Sequence, residues 1–160
     1  MKSLLMFLVL FVGLRLIGTA QEVIVEEAIT DDDLKKFAKV EAMTAEYLQE
    51  KTDELKKMIL ANEEIKGGAR FNEIKTAWGD DSKMAKAQVS AMEITAYEQI
   101  LTSQGSLQKA VLDYKTELIK DDKVLGIVLY NKVNSAIEED PALKEKLDQL
   151  VQELKAKRNK

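Results

Sequence analysis

The chain has 160 residues, 24 Lys+Arg against 28 Asp+Glu, a formal net charge of −4, and neither Cys nor His. Without Cys there is no disulfide, thiolate nucleophile or zinc–thiolate centre. Without His there is no Ser-His-Asp triad, no imidazole metal ligand and no side chain that ordinarily titrates near neutrality, and nothing in the remaining residues implies a cofactor.

Residues Leu4 to Leu14 carry no charge or polar side chain, Lys2 precedes them, and Gly18-Thr19-Ala20 follows. This is the order of a secretory signal, with small residues where a signal peptidase reads, so cleavage is expected between Ala20 and Gln21. The competing reading is a membrane anchor, which needs roughly 18 apolar residues. Arg15 ends this run short of that. Loss of Lys2 and Arg15 with the signal leaves 22 basic and 28 acidic residues, a net charge of −6. An exported chain of that sign is a poor candidate for nucleic-acid binding.

Residues 21–29 read as a flexible acidic leader, 30–155 as a helical domain and 156–160 as a basic tail. Thr30 is placed to cap a helix, Asp31, Asp32 and Asp33 suit its positive end, and Ile29 and Leu34 can staple it. Leu34, Phe37, Tyr47, Leu48, Leu55, Met58 and Ile59 follow on helical spacing, which predicts a long helix over Asp31–Ile65 before Gly67-Gly68. Phe71, Ile74 and Trp78 predict a short helix ended by Gly79. Asp80 or Asp81 then starts one carrying Met84, Gln88, Val89 and Met92. Thr95 and Glu98 form a capping-box pattern for a further short helix. Leu107, Val111, Tyr114 and Leu118 make the next stripe, and Leu125, Leu129, Val133 and Ala136 another. Asp140-Pro141 opens the last helix, whose seam is Leu143, Leu147, Leu150 and Leu154. The expected fold is all-α, an elongated multi-helix bundle with a long first helix.

Gly67–Ala91 and Gly126–Leu150 align without a gap, 59 positions apart. They pair Gly67 with Gly126, Phe71 with Tyr130, Asn72 with Asn131, Ile74 with Val133 and Ala77 with Ala136. An imperfect third copy starts near Ile94, with a turn before Leu107. The reading is two or three helix-turn-helix repeats. Tyr130-Asn131-x-Val133 followed by Asp140-Pro141-x-Leu143, together with Thr30-Asp31-x-x-Leu34-x-x-Phe37, resembles the domain-of-unknown-function family 4168. The resemblance implies a short, exported, helical bacterial protein and supplies no catalytic residue.

The acidic doublets, among them Asp80-Asp81, Asp121-Asp122 and Glu138-Glu139, lack the alternating spacing and central Gly of a calcium loop, and helix-dipole chemistry accounts for them. A cell-wall hydrolase needs a Glu of raised pKa beside apolar groups, and Glu93 and Glu98 near Met92 and Tyr97 come closest. The aromatic-Asn pairs Phe71, Asn72 and Tyr130, Asn131, with Tyr97, are candidates to line one contact groove; the competing reading packs the rings in the core. Lys155, Lys157, Arg158 and Lys160 offer a weak contact for anionic lipid. The sequence as a whole points to a non-catalytic exported protein of the bacterial envelope acting through contacts with a protein or surface. The alternatives are a periplasmic chaperone, a lipid-binding module and, last, the hydrolase.

Overall fold

A computed structural model describes residues 28–158 as six helices: α1 (Asp31–Ala61), α2 (Gly68–Ala77), α3 (Asp81–Lys86), α4 (Ala91–Lys120), α5 (Ile127–Glu139) and α6 (Pro141–Arg158). Among the described residues there is no strand, and the fold is all-α with a long first helix. The expected cleavage at Ala20-Gln21 and most of the acidic leader lie outside the described residues. The part expected to be a basic tail is helical as far as Arg158, because α6 runs through it.

Helix α1 starts as its side chains dictate. The Thr30 hydroxyl accepts from Asp33 N at 3.1 Å and the Asp33 carboxylate accepts from Thr30 N at 3.0 Å, a reciprocal cap. It stops at Ala61 rather than Ile65, because the Asn62 side-chain oxygen accepts from the backbone N–H groups of Glu64 and Ile65 and turns the chain. Ile65 is fully buried in that turn. At about 1.5 Å per residue the 31 residues of α1 span about 46 Å. Helix α4, 30 residues, lies antiparallel beside it: Tyr47 meets Tyr114 at a tilt with ring centroids 4.4 Å apart, and Lys115 Nζ lies 2.7 Å from Glu41 Oε1.

The core falls into two clusters, one at each end of this helix pair. At one end Leu34, Phe37, Ala38 and Val40 of α1 meet Ile119, Leu125, Tyr130, Val133 and Leu147. At the other, Leu55 and Ile59 meet Ile65, Ile74, Ala96, Tyr97 and Ile100. Full burial of one such side chain contributes about 1.5–3 kcal/mol, so neither end holds without both long helices.

The repeat is larger than the aligned segments and has two copies. Thr30, Leu34, Phe37 and Val40 recur 60 positions on as Ser90, Ile94, Tyr97 and Ile100, and both copies open with a reciprocal cap. Asn62 and Asp121 end the two long helices with side-chain oxygens that accept from the following turn. Gly67 and Gly126 then cap α2 and α5 at φ 98° and 83°, where a β-carbon is strained. The ring pairs cross over: Phe37 of the first copy stacks on Tyr130 of the second at 5.4 Å, and Tyr97 of the second meets Phe71 of the first at 5.3 Å.

Three expectations are corrected. The Thr95–Glu98 cap and the helix it was to open do not form. Ser90 and Glu93 make the box, and the Thr95 hydroxyl donates to Ala91 O inside α4. The third copy and its turn before Leu107 are absent, because α4 continues through Gly105. One mid-helix glycine costs about 1 kcal/mol, less than the burial of Tyr97, Ile100 and Ile119 on the same helix returns. The helix opened by Asp80 ends at Lys86, with Gln88 in left-handed geometry at φ 51°, so Gln88, Val89 and Met92 do not share it.

Candidate functional site

The α2–α3–α4 corner is built around Arg70. Arg70 Nε donates to Glu93 Oε1 at 2.6 Å and Nη2 to Glu93 Oε2 at 3.0 Å, a bidentate fork from α2 to the first turn of α4. Nη1 donates to Glu73 Oε2 at 2.6 Å and to Ala87 O at 3.0 Å, and Nη2 also donates to Gln88 O at 3.3 Å. All five guanidinium N–H groups are thereby used. Glu93 accepts in addition from Ser90 N at 2.8 Å as the α4 cap. The Arg70 guanidinium, with help from that capping bond, holds the Glu93 carboxyl down at about 2. The Glu93 side chain is only 13% exposed, so this is an inner ion pair whose loss strands a charge.

This arrangement is the reverse of a hydrolytic acid, which needs its proton retained near neutral pH by an apolar setting. Glu98, the other carboxylate singled out from sequence, is exposed on the outer face of α4.

Of the five groove candidates, the structure brings together Phe71 and Tyr97, with Trp78 completing a cluster of tilted rings at 4.5 Å from Tyr97. Tyr97 is buried, and burial raises its phenol pKa. Asn72 is half-buried on α2; its carbonyl accepts from the Thr76 hydroxyl, and it borders an open groove of about 550 Å³ between α2 and α3. Tyr130 is buried in the opposite cluster, stacked on Phe37 and likewise raised in pKa by burial, with Asn131 half-buried beside it on α5. The five residues therefore line no common groove. The two aromatic-Asn pairs sit at opposite ends because α1 and α4 are antiparallel.

Arg70 was not singled out from sequence, yet a signal exists. Every other basic residue between Gln21 and Lys157 is Lys. An Arg at one such position marks a need for the planar, two-pronged fork that an ammonium lacks. Among the described residues no group of three or more Asp and Glu side chains is placed to hold a metal ion, and no helix is long and apolar enough to cross a membrane.

Comparison of the chain with protein-family models, curated proteins and solved structures gave no match.

Proposed function

We propose that this chain is an exported, non-catalytic helical protein of the bacterial envelope that works through contacts with another protein or surface. The observation that favours contact over catalysis is the Arg70–Glu93 pair. The carboxylate that comes closest in the sequence to a general acid, Glu93, is held ionised at about 2 and spends both oxygens on a structural fork. The resemblance to domain-of-unknown-function family 4168 and the signal-like Met1–Ala20 segment support export. The aromatic-Asn pairs lie in separate clusters, which favours the contact reading over a chaperone or lipid-binding module that uses one shared groove.

Large apolar side chains on outer faces give the contact reading its probes: Val128 is 80% exposed and Met92 63%. The test is a photo-crosslinking amino acid at Val128 or Met92 in cells, with N-terminal sequencing of the exported protein. The reading expects a start at Gln21 and defined adducts from these positions, and none from buried Ala38. Intact Met1 in the membrane fraction contradicts export. Peptidoglycan cleavage by the purified chain that disappears in Glu93→Gln contradicts the non-catalytic assignment.

A further inference from the structure

The two copies differ most in their third helix. In the second copy α6 has 18 residues and lays Leu143, Leu147, Leu150, Val151 and Leu154 on the core. In the first copy α3 has six residues, none of them buried. Burial of apolar surface is the main force that fixes a helix in place, and α3 has little of it. It also spans an open groove instead of filling it: Asn72, Thr76 and Ala77 on α2 face Lys83, Lys86 and Ala87 across about 550 Å³.

Both ends of α3 are left-handed. Gly79 precedes it at φ 77° and Gln88 follows it at φ 51°. Gln88 at that φ is the left-handed position of the cap that closes α3, with Val89 N donating to Met84 O at 3.1 Å and Gln88 N to Ala85 O at 3.0 Å. The Arg70 fork fastens this cap to the bundle, since two of its N–H groups end on the carbonyls of Ala87 and Gln88 while Glu93 fixes the guanidinium from α4. Position 129, which matches Arg70 in the second copy, is Leu, packed against the core. A polar latch thus stands where the other copy has apolar packing.

We propose that Asp80–Gln88 is a hinged strap, latched by Arg70 along the α2–α3 groove and anchored beyond its end by Val89 on the core, which opens as a local unit while the rest of the bundle stays folded. Opening uncovers the α2 face that carries Ala77. Segments held by few buried apolar contacts and a small number of polar bonds are those that open locally in folded proteins.

The chain has no Cys, so a single thiol reports the opening. In the full-length protein Ala77, 4% exposed in the groove wall, is replaced by Cys. Labelling by a small disulfide reagent is followed with and without Arg70→Met, alongside amide hydrogen exchange. Loss of the latch is expected to speed labelling, and exchange over Ser82–Gln88, by about tenfold or more. Exchange in α5 should stay as before. Where Arg70→Met lowers overall helicity, Arg70→Lys replaces it with the same readouts, because an ammonium can meet Glu93 but not the two carbonyls as well. Unchanged labelling and exchange, or an equal rise in α5, overturns the strap.

Discussion

Val133 is fully buried among the side chains at the α5–α6 end, whereas Trp78 lies at the other end against Tyr97. Val133→Ala removes two carbons. At about 0.8 kcal/mol each the transfer loss is about 1.6 kcal/mol, and the cavity left behind raises the total to about 2–3 kcal/mol. With a urea dependence of about 1.5–2 kcal/mol per molar for a domain of this size, the midpoint falls by about 1–2 M. Because α1 and α4 run through both clusters, the loss cannot stay at one end. Trp78 fluorescence and far-UV circular dichroism should move together by that amount. The reasoning is refuted if circular dichroism splits into two steps while the Trp78 transition stays at its original midpoint, since the two ends would then unfold independently.

The cap glycines should respond alike to alanine. At Gly126 an added β-carbon meets only Asp122 Oδ1 at 2.9 Å, the end of an exposed side chain that can turn away, and at Gly67 it meets nothing within 4 Å. Thermal melts should therefore show Gly126→Ala and Gly67→Ala each costing roughly 1 kcal/mol of left-handed strain, and a much larger loss at Gly126 would mean that Asp122 is held in place. Acid stability should depend on Glu93. Its folded pKa, about 2, lies below the ordinary 4.5, so the stability it contributes is present above about 4.5 and is lost as pH falls toward 2. Glu93→Gln should lower the urea midpoint at pH 7 and make its decline between those pH values shallower. An equally steep decline places the acid sensitivity elsewhere.

Much of the fold was legible because it is written in local chemistry. Thr30 with Asp33, Gly67, Gly126, and Asp140 before Pro141 each act on backbone groups a few residues away, and each does what its residue type implies. The α4 boundary was not legible for the same reason. Ser90-x-x-Glu93 and Thr95-x-x-Glu98 carry one local signal, and the choice between them depends on packing of Tyr97 and Ile100 against distant residues. The candidate groove failed on a similar point. Periodicity assigns Phe71, Tyr97 and Tyr130 to helix faces, but which rings meet is fixed by the antiparallel pairing of α1 and α4. Arg70 reaches 23 positions along the chain to Glu93, a partner that no periodic pattern encodes.

A carbon-detected NMR titration of the Glu93 carboxyl in the full-length protein addresses the functional assignment most directly. The Arg70 fork predicts an apparent pKa of about 2. In Arg70→Met it should climb back toward the ordinary carboxylate range. A value of about 6 or above in the native protein would mark a carboxyl that keeps its proton near neutrality, as a general acid must, and would contradict the reading of this corner as structure rather than catalysis.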